Sequence, residues 1–347
     1  MSRVQLITVA ESDVDQRLDR WLRRMFPHLP QGRIEKLCRK GELRIEGGRV
    51  KPATRLQAGQ QVRIPPLPKG GQISVQAKTV SLPADAKMIQ ACVIYRDDHI
   101  LALNKPPGLA SQGGSKQTRH VDGLAEALKF GLEEKPRMVH RLDKDTSGVL
   151  VMARSRLVAG ALTKAFRHRV TRKLYWAVVA GVPLPRKATI KYGLVKAAGY
   201  GRSGETEKMI CLHPRDVDRT KGAKRAITDY VVLRPLARRA AWIALVPITG
   251  RTHQLRAHMA EIGHPIIGDG KYGGFGQENA GDGWGSQLGG AISRKLHLHA
   301  RSLRFEHPVT KASLVLIAPL PEHMQRTWQT VQWSASEVPD DPFEDDA

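Results

Sequence analysis

The chain has 347 residues, with 56 Lys and Arg against 33 Asp and Glu, a formal charge of +23. The length fits roughly two domains, and the ordinary apolar content supplies a sizeable core. An excess of cations this large opposes compaction unless a polyanion neutralises it, so nucleic acid is the leading partner. A membrane surface is the rival, but no basic amphipathic helix with a Trp or Phe face stands out and no run approaches the ~20 apolar residues of a membrane span. Cys38, Cys92 and Cys211 lie far apart and form no Cys-x-x-Cys pair, and the first residues hold no signal-peptide apolar run. A reducing cytoplasm is therefore expected.

Residues 1–68 read as a small basic module. Ser12 or Asp13 offers a cap to a helix in which Val14, Leu18, Leu22 and Met25 recur at helical spacing. A second helix turns Ile34, Leu37 and Cys38 inward, leaves Arg33, Lys36, Arg39 and Lys40 outside, and stops at Gly41. Leu43 and Ile45 alternate, Gly47-Gly48 turns, and Val62 and Ile64 make a further strand. Residues 69–87 carry Pro and Gly without periodicity and read as a linker.

A second domain is expected over residues 88–325. Val93 to Tyr95 and Ile100 to Leu103 suggest strand, turn, strand, followed by the rigid loop Asn104-Lys105-Pro106-Pro107-Gly108. Asp122 offers a cap to a short helix and Ser155 to a longer one carrying Val158, Leu162 and Phe166. Strands follow at Lys173 to Gly181, Thr228 to Leu233, Trp242 to Val246, Leu296 to Ala300 and Ser313 to Ile317. Residues 197–225 read as loop or RNA-facing insertion, and 273–290, rich in Gly, as a long mobile loop of the kind that is usually functional. Residues 326–347 read as an acidic, disordered tail. Strands at irregular spacing with few crossover helices predict an α+β fold with mixed or antiparallel sheets.

The densest chemistry lies in His140-Arg141-Leu142-Asp143-Lys144-Asp145-Thr146-Ser147-Gly148, a charged turn between two apolar β-type runs. Charges beside a core cost free energy unless paired or used. Taken alone, the spacing is equally consistent with a solvated hairpin turn. The string closely resembles the catalytic motif of the RluA family of RNA pseudouridine synthases, most of all its RluC/RluD branch, which acts on large-subunit ribosomal RNA. Pro247-Ile248-Thr249-Gly250-Arg251-Thr252-His253-Gln254-Leu255-Arg256-Ala257-His258 resembles a later motif of that family, and Asn104 to Leu109 its first. Arg17-Leu18-Asp19, Gly32-Arg33-Ile34 and Gly41 to Ile45 resemble an S4 RNA-binding domain. The chain departs from the family at Ala110-Ser111-Gln112-Gly113-Gly114, which lacks the usual His-Pro.

The resemblance implies isomerisation of uridine: the N1–C1′ bond breaks, the base turns, and C5 joins C1′. Nothing is lost and no redox change occurs, so no cofactor and no metal are called for. Asp143 takes the catalytic role, as nucleophile or as base; a free carboxylate suits either, being ionised at neutral pH with a reference pKa of ~3.9. Tyr175 would stack on the extruded base, with Trp176 sent to the opposite face by strand alternation. Arg141 would fill the vacated stack. Arg251, at a strand-to-helix junction with Thr252 as the helix cap, is assigned to pair with Asp143, with Arg256 as runner-up. Arg17, Arg33, Lys36, Arg39 and Lys40 in the first module, and His140, Lys105 and Arg256 in the second, are the further candidates for RNA contact. His253 and His258, five apart, and His297 and His299 lack zinc-helix spacing. The expected function is conversion of uridines in large-subunit ribosomal RNA, with no protein partner required. The rivals are a non-catalytic RNA-binding or ribosome-assembly factor and a metal-dependent hydrolase.

Overall fold

The computed structural model describes residues 4–67, 83–113, 119–168, 170–197, 208–273 and 292–343. The chain divides into two compact units, Met1–Val80 and Ser81–Ala347.

The first unit runs β1 (Gln5–Thr8), α1 (Leu18–Met25), α2 (Gln31–Lys40), β2 (Arg44–Ile45), β3 (Gly48–Arg49) and β4 (Gln61–Ile64), with an antiparallel sheet in the order β1-β4-β2-β3. Leu18, Trp21, Leu22, Ile34, Leu37, Leu43, Leu56 and Ile64 form its core. The first helix starts later than the periodicity suggests. Asp13 is buried and accepts hydrogen bonds from Trp21 Nε1 at 2.9 Å and Arg24 at 2.6 Å instead of capping. Satisfying a buried carboxylate outweighs a helix cap. Gly41 closes α2 in the left-handed region at φ +70°.

The second unit runs α3 (Pro83–Ala91), β5 (Val93–Arg96), β6 (Ile100–Lys105), α4 (Val121–Leu124), β7 (Arg137–Met138), β8 (Ser147–Ala153), α5 (Arg156–His168), β9 (Arg172–Ala180), β10 (Lys187–Lys196), β11 (Met209–Leu212), β12 (Lys224–Leu236), β13 (Ala240–Pro247), α6 (Gln254–Glu261), β14 (Leu298–Glu306), β15 (Ser313–Ile317) and α7 (Glu322–Thr330). Eleven strands form one mixed sheet in the order β11-β10-β12-β13-β9-β14-β8-β6-β5, with β15 added to β14 and β7 to β8. The α+β reading holds. Among the described residues no helix is long and apolar enough to cross a membrane.

One face of the sheet buries Leu174, Trp176, Val178 and Trp242 under α7 and the C-terminal segment; the other buries Ala177, Val179, Ile243 and Leu245 against Leu255 and Met259 of α6. Alternation along β9 and β13 thus sorts the two cores. The β8 run is buried throughout and pairs parallel to β14 but antiparallel to β6. Its start needs glycine. Gly148 sits at φ +109°, and a Cβ there would lie 2.2 Å from the Ala300 carbonyl oxygen. Gly148→Ala therefore costs about 3 kcal/mol or more of stability, read as a fall in the urea midpoint; an unchanged midpoint contradicts the close approach.

Several boundaries differ from the sequence reading. α3 begins inside the proposed linker, whose residues 69–82, with residue 68 before them, lie outside the described residues. His120, not Asp122, caps α4, its Nδ1 accepting from Gly123 N–H at 2.9 Å, whereas Ser155 does cap α5. Residues 197–225 include β11 and the start of β12; 198–207, and 274–291 of the expected mobile loop, lie outside the described residues. The tail is not a free acidic string: α7 crosses its proposed start, Phe343 is 7% exposed, and Asp341 accepts from Arg172 at 2.9 and 3.0 Å. Trp328 and Trp333 ahead of the acids, and Phe343 among them, supply the apolar area that holds it down.

Candidate active site

The loop between β7 and β8 carries Asp143, and the Asn104–Ser111 loop fixes it. Ser111 Oγ donates to Leu142 O at 2.6 Å and accepts from Leu142 N–H at 3.0 Å. Lys105, wholly buried, spends its ammonium on the carbonyls of Pro106, Leu109 and Lys144 at 2.9, 2.8 and 3.0 Å. Burial pushes its pKa down to about 7, with Asp145 and Asp143 pulling the other way. Lys105 is thus no RNA contact: it stitches the two loops together. Ser111 stands in the stretch where the chain departs from the family string, and it anchors the Asp143 loop there.

Asp143, with its side chain 20% exposed, lines a cavity of about 260 Å³ with Arg141, Thr146, Lys173, Tyr175, Arg251, His253 and Arg256. Arg256 lies 4.0 Å from the Asp143 carboxylate and the His253 imidazole 3.9 Å from it. Arg251 does not pair with it. The Arg251 Nε donates to the Arg225 carbonyl at 3.2 Å. The pairing falls to Arg256 because Arg256 is itself locked: Nε and Nη2 donate to the two oxygens of buried Asp269 at 2.7 Å each. Burial strips Arg256 of hydration, but Asp269 more than offsets this and holds its pKa above the ordinary value. This buried guanidinium is not available to an RNA backbone. Burial lowers the pKa of His253 against the pull of Asp143, so the imidazole is neutral near pH 7 and Arg256 is the cation facing the carboxylate. The His253 ring is fixed by a 3.0 Å bond to the Tyr272 hydroxyl.

α6 starts at Gln254, after His253 in the left-handed region at φ +51°, and Thr252 makes no cap. Gln254 Oε1 accepts from Arg251 N–H at 3.1 Å and Thr249 Oγ1 at 2.6 Å, while Nε2 donates to Ile227 O at 2.8 Å and Thr228 Oγ1 at 2.9 Å. The strand-to-helix junction is thereby pinned to β12.

Tyr175 lines the cavity while Trp176 packs in the core behind the sheet. Desolvation first, then the charge of Asp143, push the Tyr175 hydroxyl well above the usual phenol range, so it stays protonated. Arg141 is exposed at the rim. His140 also lines the cavity, but its ring stacks on Phe166 at 4.5 Å and Nε2 accepts from Val151 N–H at 2.9 Å; the side chain braces β8 and does not offer itself to RNA. Asp145 faces a second cavity of about 710 Å³ with Lys208, Lys271, Arg294 and Lys295. In the first unit, Arg33, Lys36, Arg39 and Lys40 are exposed along α2. Arg17 instead holds Asp19 through two bonds of 3.1 and 2.5 Å.

His297 and His299 are structural. His297 Nε2 meets Thr327 Oγ1 at 2.8 Å, and His299 Nδ1 meets Ser147 Oγ at 2.8 Å. Burial drives His140, His297 and His299 to about 3. Below pH 6.5 the unfolded chain takes up protons that the folded one refuses. Stability therefore falls as pH drops from 6.5 toward 3, by about 1.4 kcal/mol per pH unit for each fully engaged histidine. The urea midpoint should be lower at pH 5 than at pH 7; equal midpoints contradict neutral burial.

Ser111, Asp269, Tyr272 and the true duty of Lys105 escape a reading of the string alone. Only Asp269, between Gly268 and Gly270 just after the motif helix, leaves a trace there.

Comparison with known proteins matches residues 99–261 to the RNA pseudouridylate synthase family and 16–62 to the S4 domain. The ribosomal large subunit pseudouridine synthase C of Vibrio cholerae is 33% identical over 94% of this chain and 96% of that protein. Its Escherichia coli K12 counterpart is 34% identical over 95% and 97%, and that of Haemophilus ducreyi 36% identical over 93% and 94%. Among solved structures, human RNA pseudouridylate synthase domain containing 4 superposes with a TM-score of 0.57 at 29% identity, covering 71% of this chain and 95% of that one.

Proposed function

The chain belongs to the RNA pseudouridylate synthase family, and from that premise we propose that it isomerises specific uridines of large-subunit ribosomal RNA to pseudouridine, in the cytoplasm, where its three cysteines remain the free thiols of the structure. The observation that carries the reading is a single concave site in which Asp143 meets a guanidinium at 4.0 Å beside a protonated Tyr175.

A uridine in a stacked strand hides C1′ and C5, so the nucleotide must leave the stack. Arg141, exposed at the rim, fills the gap with a flat guanidinium that also bonds phosphates. The extruded uracil rests on Tyr175, a contact worth ~1–3 kcal/mol. Asp143 acts at the ribose, where the N1–C1′ bond breaks. The freed base turns, C5 bonds to C1′, the C5 proton departs, and N1 ends protonated. Atoms and electrons balance without an added reagent. Arg256 positions Asp143 and carries opposite charge against it. The α2 face of the S4 unit holds flanking RNA through Arg33, Lys36, Arg39 and Lys40. A non-catalytic assembly factor would have no use for a locked guanidinium at the cavity carboxylate.

The test is tritium release from transcripts labelled at uridine C5. Release is expected from large-subunit ribosomal RNA at a few discrete sites. Release from other RNAs alone overturns the substrate class, and none from any RNA overturns the function.

A further inference from the structure

A cavity of about 620 Å³ adjoins the one holding Asp143, and the two share a wall made by Lys173, Pro247, Thr249, Gly250 and Arg251. No carboxylate lines this second cavity among the described residues, whereas Arg167, Lys173 and Arg251 do. Arg172, also on its rim, gives its charge to Asp341. Lys173 and Arg251 are different. Neither has a carboxylate within 4.0 Å among the described residues. The Lys173 ammonium sits 5.0 Å over the Phe166 ring, and burial alone lowers its pKa, with no acid pulling it back. Arg251 uses Nε on the Arg225 carbonyl, and its two terminal nitrogens have no hydrogen-bond partner among the described residues. Asp143 is already served by Arg256 and His253. Lys173 is buried without an internal counter-ion, at a cost that an incoming anion would relieve, and half-buried Arg251 stands on the same wall with its terminal nitrogens available to that anion. Between them Gly250 leaves open space where a side chain would stand, so a ligand backbone can approach the wall closely.

We propose that Lys173 and Arg251 form a phosphate clamp on this wall, which grips a phosphodiester flanking the extruded uridine and so fixes its ribose over Asp143. The clamp rests on the isomerase reading and adds to it a backbone contact distinct from the S4 face. A phosphodiester suits the pair, because Arg supplies a planar fork and Lys a compact point charge, the two common modes of phosphate binding.

The experiment uses the full-length protein and a stem-loop cut from large-subunit ribosomal RNA around a uridine that the wild type converts. One copy carries natural linkages; others carry a single neutral methylphosphonate on the 5′ or 3′ side of that uridine. Lys173→Met keeps the side-chain volume and should weaken binding about tenfold and flatten the log–log salt dependence by about 0.7 for one lost contact on a single strand. KM should rise by more than kcat falls. One of the neutral linkages should weaken wild-type binding by a similar factor and cost Lys173→Met little more, since both delete the same contact. Arg251→Met should behave alike, and Lys173→Arg should restore affinity and salt slope. Additive losses, or a loss confined to kcat with unchanged affinity and salt slope, would overturn the clamp and put these cations on the base. No uridine converted by the wild type in any ribosomal RNA would overturn the isomerase reading, and the clamp with it.

Discussion

Replacing Asp143 with asparagine abolishes pseudouridine formation, by at least about four orders of magnitude in single-turnover rate. The amide keeps the size of the side chain and removes its charge. Asp143 lies on an irregular loop held by the backbone bonds of Leu142 and Lys144, none of which involves its own carboxylate. Its ion pair with Arg256 at 4.0 Å is long and its 3.9 Å contact is to a neutral imidazole, so losing the charge costs little stability. The expected result is therefore a folded variant that binds RNA and does no chemistry. Residual turnover within a hundredfold of wild type would show that a different group acts at the sugar, with Asp145, two residues on, the first to examine.

Replacing Arg256 with alanine has the second large effect, on two readouts at once. Asp269, whose side chain is fully buried, would lose both guanidinium hydrogen bonds and the charge that faces it, keeping on Oδ1 the backbone N–H groups of Lys271 and Tyr272 at 3.0 and 3.2 Å, a loss of about 3–5 kcal/mol. Asp143 would lose its facing guanidinium, and turnover should fall about a hundredfold even on saturating RNA. Arg256→Lys should recover little of either, since an ammonium cannot bridge both Asp269 oxygens and still face Asp143. Thermal unfolding and saturating kcat, measured together, check this. A variant as stable and as fast as wild type would refute the pairing, and the same collapse of kcat on Arg251→Ala with RNA affinity intact would return that role to Arg251.

The contrast between these two arginines marks where the sequence stops being readable. Both stand in one twelve-residue motif, five positions apart, at a strand-to-helix junction. Spacing can put either into the cleft. What separates them is Asp269, thirteen residues beyond Arg256, and a carbonyl of Arg225 that claims Arg251 from another strand. Tertiary hydrogen bonds of that kind leave no period in the sequence. Lys105 and His140 escape the sequence for the same reason: a charged or polar residue beside a catalytic string invites a ligand role, while here three backbone carbonyls and one strand amide absorb them. Tyr175 and Trp176 were easier, because alternation along a strand is a local rule. The strand after Asp143 is legible as an aliphatic run, since β8 is buried on both faces, whereas β7 before it is only Arg137–Met138. The tail was misread because its net charge is obvious and its three aromatic anchors are sparse.

The account turns on Asp143 acting on uridines of large-subunit ribosomal RNA. A nucleotide-resolution map of pseudouridine in total RNA, from cells carrying either the wild-type chain or Asp143→Asn as the sole copy, tests it most directly. The predicted result is loss of a few discrete pseudouridines, all in the large-subunit RNA, with every other position unchanged. An identical map from the two strains, or losses confined to other RNAs, would contradict it.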